Sequence, residues 1–339
     1  MIETILEKIK SGKEDNTFLY FITRVLKSDV KPLSKVMDKY DYKVYQIDID
    51  DEIREHLVGL TKEQLNYLAK KGKELHEYEV ITEDVDQILT YSMKNKAMSF
   101  ADVVNNKLKS TPPKVTSLED IITDEELWAY SVGFFNNNEW IYTFRKITPA
   151  KVAIDEKDGN KRGKLSKFLR TQFNTRSKKL ELIEGQTVNL DKQIDCVFYD
   201  EVFYIAKKTL FEQIVGLLDE FKQQAIEVVS ALGDTKMIDG LEIVAKQIED
   251  NPTIHKKLVR LSKIGNYKEL DIKVIKTMQK TCKKYGEVLK IKNGKLVIED
   301  ENDIIVALKV LADYYKVGEV SGKAYGTYAG KQLQTKKDS

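Results

Sequence analysis

The sequence has few of the residues that cross-link small domains or bind metals. Its two cysteines, Cys196 and Cys282, are far apart and are not at metal-ligand spacing. Its three histidines, His56, His76 and His255, are scattered, with no cysteine at ligand spacing. These absences exclude a disulfide scaffold and argue against a His/Cys zinc site. We therefore expect a reduced, cytosolic chain without a metal or another cofactor.

Long apolar runs and an export signal are also missing. No segment approaches about 18 consecutive apolar residues, because charged residues interrupt even the most apolar stretch, at 211–232. The first fifteen residues contain no apolar core of a signal peptide. The sequence thus predicts a cytoplasmic protein, which would associate with a membrane only through a partner or a charged surface.

Common catalytic and phosphate-binding motifs are absent as well. The glycine-containing stretch at 159–166 is not a P-loop, because its glycines are too close together and Leu165 stands where Ser or Thr should bind magnesium. Neither GxSxG nor GxGxxG occurs. The triplet Asp155-Glu156-Lys157 could imitate the acid and lysine of a nuclease, or form a solvated turn. We expect no enzymatic activity, with a metal-dependent nuclease as the alternative.

The apolar pattern predicts an α+β fold. Up to residue 110, strand-like runs at 17–25 and 42–50 alternate with helical patterns such as 60–75, which indicates a mixed α/β domain. From residue 119, paired strand-like runs come first and helical periodicity follows from residue 208. This order predicts a mainly antiparallel sheet with a helical C-terminal half.

Proline and asparagine positions predict the boundaries within this plan. Pro112 and Pro113 predict a linker at 111–118, because proline ends helices and cannot donate to a sheet. The predicted domains are therefore 1–110 and 119–330, followed by a polar tail at 331–339. Tight turns are predicted at 136–138, 200–201 and 293–294. Helices are predicted at 208–232, 235–249, 252–264, 268–285 and 301–316.

Positive charge is concentrated in two regions, although the net charge of the chain is only +2. The segment 156–179 carries nine basic residues against two acidic ones, a net charge of +7. The segment 251–292 carries twelve against three, a net charge of +9. Ordinary helix surfaces interleave acids with lysines, since like charges at i,i+4 repel. The shortage of acids therefore favours a polyanion-binding surface over a merely solvated one.

Helical geometry separates charge from apolar side chains in the second region. A helix opening at Asn251-Pro252 places Ile254, Leu258 and Leu261 on one side, and the next helix has its own apolar stripe. Lysines and one arginine lie on the opposite sides of both. The candidate DNA-binding residues in the two regions are Lys161, Arg162, Lys164, Lys167, Arg170, Lys256, Lys257, Arg260, Lys263, Lys273, Lys276, Lys280, Lys283 and Lys284.

The polyanion could be nucleic acid or anionic lipid. A membrane-surface helix would expose Trp, Phe or Leu, whereas the narrow stripes here are explained by a core. No helix-turn-helix, RRM or zinc-finger signature is present, so we expect sequence-independent contact with the DNA or RNA backbone. The acidic segments at 48–55 and 119–126 leave a third interpretation open, a scaffold protein that binds no nucleic acid.

Three segments between Leu127 and Tyr325 resemble the KwaB-like family, the soluble subunit of the Kiwa anti-phage defence system. They are IYTFRKITP at 141–149, DCVFYDEVFYIAKKTLFEQIVGL at 195–217, and LKVLADYYKVGEVSGKAY at 308–325. Their aromatic and turn residues are interpreted as fold-forming rather than catalytic.

The resemblance implies a cytosolic, DNA-binding effector held near the membrane by an integral membrane partner subunit of the KwaA type. Such an effector would interfere with phage DNA replication or transcription. We also expect a homo-oligomer, with a dimer favoured. A nuclease and a scaffold protein remain the alternatives.

Overall fold

The structure, a computed structural model, describes residues 1–13, 16–27, 39–71, 74–81, 87–94, 98–115, 117–118, 121, 125–147, 152–153, 171–174, 176–182, 187–190, 193–264 and 266–328. The chain divides into two compact units. Unit 1 comprises Met1–Val30, Asp38–Tyr78 and Asp86–Gly216. Unit 2 comprises Lys31–Met37, Glu79–Val85 and Leu217–Ser339.

A nine-stranded sheet organises unit 1. The described strands of the unit are β1 (Thr17–Leu26), β2 (Tyr40–Ile47), β3 (Leu75–Glu77), β4 (Ile88–Ser92), β5 (Lys114–Val115), β6 (Glu126–Asn136), β7 (Glu139–Lys146), β8 (Val152–Ala153), β9 (Thr171–Asn174), β10 (Lys179–Leu182), β11 (Thr187–Val188), β12 (Cys196–Tyr199) and β13 (Val202–Ile205). The sheet order is β3-β4-β13-β12-β7-β6-β1-β2-β5. Its inner neighbours are antiparallel, and only the pairs β3–β4 and β2–β5 at the two edges are parallel.

Apolar layers cover both faces of this sheet. Helices α1 (Ile2–Ser11) and α2 (Asp51–Lys71) bury Ile5 and Leu65 on one face. On the other, α3 (Ser99–Asp102), its π-helical continuation Val103–Lys107, and α4 (Lys208–Ile214) contribute to an aromatic cluster. Phe203 in that cluster lies 5.2 to 6.4 Å, between ring centroids, from Phe100, Phe144 and Phe211. Burial on both faces explains the nearly continuous apolar composition of the central strands.

Part of the predicted linker at 111–118 belongs to this sheet. Ile47 of β2 pairs with Val115 of β5, and the carbonyl oxygen of Pro113 accepts a hydrogen bond from the backbone N–H of Gln46 at 2.9 Å. Strands on both sides of 111–118 therefore form one unit, which corrects the predicted division into 1–110 and 119–330. Consecutive prolines are tolerated because Pro113 lies at a sheet edge and contributes only its carbonyl.

The largest continuous segment of unit 2 begins after Gly216. This residue has φ +82, a conformation that favours glycine, and it interrupts the helix predicted at 208–232. The helix is divided into α4 and α5 (Leu217–Asp234). The predicted tail at 331–339 lies outside the described residues.

Unit 2 is mainly helical. Beyond α5, its described helices are α6 (Leu241–Ile248), α7 (Pro252–Ile264), α8 (Ile272–Lys284) and α9 (Glu301–Leu311), with a 3₁₀ turn at Asn266–Glu269. Its strands are β14 (Ile238–Asp239), β15 (Ile291–Lys292), β16 (Lys295–Val297), β17 (Tyr315–Val317) and β18 (Ala324–Gly326). Leu232, Leu258, Cys282 and Ile304 lie in one buried core. The final helix ends at Leu311, earlier than predicted, because β17 begins at Tyr315.

The three predicted turns are confirmed. Asn137 and Asn138 have φ of 50 and 63, Asp200 has φ 51, and Asn293 has φ 52. These left-handed conformations close the hairpins β6–β7, β12–β13 and β15–β16. The α+β class with a mainly antiparallel sheet is also confirmed. None of the helices in the described ranges combines the length and apolar character that crossing a bilayer requires.

Gly133 in β6 has no room for a side chain. A Cβ atom at this position would lie 2.9 Å from the Tyr20 ring and 3.0 Å from the Tyr142 ring, and both tyrosines are buried. We expect Gly133→Ala to lower the free energy of unfolding by about 1–3 kcal/mol through overpacking. Unfolding followed by tryptophan fluorescence measures this loss of stability. Both tryptophans of the chain, Trp128 and Trp140, are in unit 1.

The matched control is Gly59→Ala in the interior of α2. A Cβ atom there meets nothing within 4 Å, so alanine should stabilise the helix by about 0.5–1 kcal/mol. Equal effects of the two substitutions would contradict the packing described for Gly133.

Candidate nucleic-acid interface

Helix α8 separates apolar from charged side chains. Ile275, Met278 and Cys282 are buried in the unit 2 core. The Asp271 carboxylate caps the helix by accepting a hydrogen bond from the Val274 backbone N–H at 2.7 Å. On the opposite side, exposed lysines form what we call the lysine face: Lys273, Lys276, Lys280, Lys283 and Lys284. Burial of the predicted stripe is therefore confirmed for the three residues in the core, whereas Val274 and Tyr285, which the same periodicity places in it, are half-buried.

The lysine face is a continuous positive surface. At about 100° per residue its five members lie within an arc of about 100°, and at 1.5 Å per residue they extend for about 16 Å. Within the described ranges, none of them forms an ion pair. Like charges three and four residues apart repel by about 0.2–0.5 kcal/mol per pair. A bound polyanion would relieve this repulsion.

The β15–β16 hairpin adds a cation near the N-terminal end of α8. Gly294 at the turn is so close to α8 that a Cβ atom there would lie 3.3 Å from Ile272. Lys292, next to this turn, is exposed. Lys295 differs, because it pairs with Asp239 at 3.1 Å. Lys290, which precedes β15, also differs because it contacts Glu299 and Asp303.

The cationic face predicted on α7 is largely wrong. Arg260 is buried and pairs with Glu79 at 3.2 Å. Lys257 is half-buried against the Tyr328 ring at 5.2 Å, and burial, assisted by Lys309, lowers its pKa. The physical reason is that α7 packs on more than one side, against α5, α6 and α9. Of the residues predicted there, Lys263 is exposed and Lys256 is half-buried.

The buried His255 of α7 is held neutral by its surroundings. Its Nε2 lies within hydrogen-bond distance of the Ile248 carbonyl oxygen and must donate to it, while Nδ1 has no hydrogen-bond partner in the described part of the chain. Burial lowers the pKa of His255 below its ordinary 6.5, and the neighbouring Lys222 ammonium acts in the same direction.

This histidine predicts a loss of stability in mild acid. The unfolded chain takes up a proton near pH 6.5, whereas the folded chain does so only at lower pH, so the free energy of unfolding should fall between about pH 7 and 5. We expect His255→Gln to flatten this dependence, measured by urea unfolding or by hydrogen exchange of α7. His56→Gln, at an exposed position of α2, is the control and should preserve it. An unchanged slope in His255→Gln would overturn the assignment.

The first basic region contains five of the predicted DNA-binding residues. Lys161, Arg162, Lys164, Lys167 and Arg170 lie outside the described residues, and so does the triplet at 155–157. In the part of the chain that the structure describes, no group of three or more His, Cys, Asp or Glu side chains could hold a metal ion.

A family model matches residues 124–321, more than half of the 339-residue chain. It describes the Kiwa protein KwaB-like family. The chain belongs to this family. The match confirms the resemblance suggested by the sequence and connects the protein with Kiwa anti-phage defence. No curated protein and no solved structure matches the chain.

The KwaB-like region includes β6, β7, β12 and β13 of unit 1 and the whole of α8. Phe203 and Phe211 in its central motif are fully buried. Glu212 is also buried, and its carboxylate accepts a hydrogen bond from the Tyr78 hydroxyl at 2.7 Å. These contacts agree with a fold-forming role for the motif.

Sequence reasoning missed a buried ion pair in the same region. Asp195 is completely buried, and its carboxylate contacts Arg145 and accepts a hydrogen bond from the Lys146 backbone N–H at 2.7 Å. The adjacent Arg145-Lys146 in an otherwise apolar strand was the available signal, because buried charge requires a partner.

Proposed function

We propose that the protein is a DNA-binding effector of Kiwa defence that acts without catalysis. The lysine face of α8 contacts the phosphate backbone, and the bound protein blocks phage DNA replication or transcription. The observation that carries the proposal is the set of five exposed lysines on one face of a helix whose other face is buried. Family membership supplies the defence context.

Contact with the backbone rather than with the bases follows from the residue types. The arc holds lysines, which act as point charges, and it contains no arginine, asparagine or glutamine that could read base edges in two-point contacts. Phosphate contacts position a protein on nucleic acid without sequence information. We therefore expect similar affinity for unrelated sequences.

The remaining parts of the proposal concern location and assembly. The protein acts in the cytoplasm as a homo-oligomer, with a dimer favoured, and an integral membrane partner subunit holds it near the membrane. Co-purification with such a subunit from membranes, together with light scattering of the purified chain, tests both statements. A monomer that does not co-purify with any membrane protein would contradict both statements. The proposed DNA interface would not be affected by that result.

The decisive test is a salt titration of binding to several unrelated duplex DNAs, with and without magnesium. We expect comparable affinities, a steep loss of affinity with salt, and intact DNA throughout. Magnesium-dependent cleavage would replace the proposal with a nuclease. Absence of binding at low salt would favour a scaffold that recognises protein partners.

A further inference from the structure

Two parallel tyrosine rings lie at the C-terminal end of the lysine face. Tyr285 directly follows α8, and its ring stacks on Tyr315 of β17 with 4.7 Å between centroids and an interplanar angle of 1°. Both side chains are half-buried. Tyr315 packs against the unit 2 core, and its ring covers one face of the Tyr285 ring.

Hydrogen bonds hold the supporting ring in place. The Tyr315 hydroxyl contacts the Glu287 carboxylate, which also accepts a hydrogen bond from Lys309 at 2.6 Å. Burial alone would raise the pKa of Glu287, but these two contacts hold it below its ordinary value, so the carboxylate stays charged. Because Tyr285 stacks on this fixed ring, it loses less conformational freedom on binding a ligand than an unsupported side chain would.

The stacked pair is continuous with the lysine face. Lys284 Nζ lies 5.4 Å from the centroid of the Tyr285 ring, and Lys283 is exposed beside it. The following residue leaves the surface open, because a Cβ atom at Gly286 would meet nothing within 4 Å. Val288 is 75 % exposed. Lysines, an aromatic ring and an exposed apolar side chain thus lie within six residues, 283–288.

We propose that Tyr285 is a stacking platform for an unpaired base and that α8 takes single-stranded nucleic acid. The lysine face follows the phosphates, while a base at the end of this track stacks on Tyr285. Proteins that bind single strands without sequence preference combine these two features, a cationic track and aromatic rings. In a duplex the base faces are already stacked and are not available. This inference rests on the proposed function, since it assigns the form of nucleic acid to the same surface.

Fluorescence anisotropy with the full chain tests the proposal, using a 20-nucleotide oligothymidine and a 20-base-pair duplex at the same salt. Tyr285→Ala should weaken single-strand binding about 5- to 150-fold, the usual effect of losing one stacked base. Duplex binding should change less than twofold. Tyr285→Trp and Tyr285→Phe should retain single-strand affinity, because each keeps an aromatic face. Tyr67→Ala, at an exposed tyrosine of α2, is the matched control and should change neither affinity.

A second measurement does not depend on the folding of a variant. A single strand containing 2-aminopurine should lose fluorescence on binding the unsubstituted protein, because its base stacks on the Tyr285 ring. Binding without this loss would contradict the stacking platform. Equal effects of Tyr285→Ala on both nucleic acids, or none on either, would overturn the inference.

The two proposals fail in different ways. If reversing the charges of Lys276, Lys280 and Lys283 leaves the affinity for both nucleic acids unchanged, the proposed DNA interface on α8 is wrong. If that reversal abolishes binding but Tyr285→Ala does not discriminate between the two nucleic acids, only the stacking platform is wrong. If the protein binds a protein partner and neither nucleic acid, both proposals are wrong.

Discussion

Reversing three charges of the lysine face should reduce DNA affinity by about 10²–10³-fold at 0.1 M salt. The variant is Lys276→Glu, Lys280→Glu and Lys283→Glu together. Each phosphate contact contributes about 0.9 to the slope of log K against log salt for duplex DNA, so the loss of three should flatten that slope by about 2.7. All DNA sequences should be affected alike, because no base contact is removed. Anisotropy over a salt series measures both quantities.

A matched triple reversal separates a local effect from one of net charge. Lys70, Lys109 and Lys246 are exposed lysines away from α8 in the chain, and their reversal to Glu changes the net charge by the same amount. This control should keep most of the affinity and the slope. Equal losses in the two variants would show that binding depends on overall charge, and unchanged binding in the α8 variant would exclude this face.

Removing the buried carboxylate of Asp195 should destabilise unit 1 by about 3–5 kcal/mol. Asp195→Ala leaves the Arg145 guanidinium, which is also buried, without the carboxylate that compensates it. It also removes the acceptor for the Lys146 backbone N–H. Asp195→Asn, which keeps the shape of the side chain and loses its charge, should lower the free energy of unfolding by less than Asp195→Ala does. Urea unfolding followed by the fluorescence of the two tryptophans of unit 1 measures the difference.

A surface ion pair is the appropriate control. Asp48 and Lys114 lie 2.8 Å apart, with most of both side chains exposed. Because solvent screens the charges, such a pair contributes only about 0–1 kcal/mol to the free energy of unfolding. We therefore expect Asp48→Ala to change the stability little. If the two aspartate variants unfold at the same denaturant concentration, burial does not determine the strength of the Asp195 contact as we infer.

Several features could be predicted from local sequence. The turn at Asn137-Asn138 requires left-handed backbone, which asparagine adopts readily, and the structure has it there. The buried stripe of α8, with Ile275, Met278 and Cys282, follows from helical periodicity. The resemblance to the KwaB-like family depended on segments of this local kind, and the family match confirms it.

Periodicity was insufficient where a helix is covered on more than one side. The same pattern that exposes the lysines of α8 predicted an exposed cationic face on α7, where Arg260 is buried against Glu79, 181 residues earlier in the chain. A sequence window of one helix contains no information about a neighbour at that separation.

Local conformation, and the surface of elements with a single buried face such as α8, therefore follow from the amino-acid sequence. The tertiary structure alone decided which distant groups meet. It placed Pro113 at a sheet edge, paired Asp195 with Arg145, and stacked Tyr285 on Tyr315. The physical reason is that backbone preference and amphipathic spacing act over a few residues, whereas pairing, burial and ring stacking depend on contacts between segments far apart in the chain.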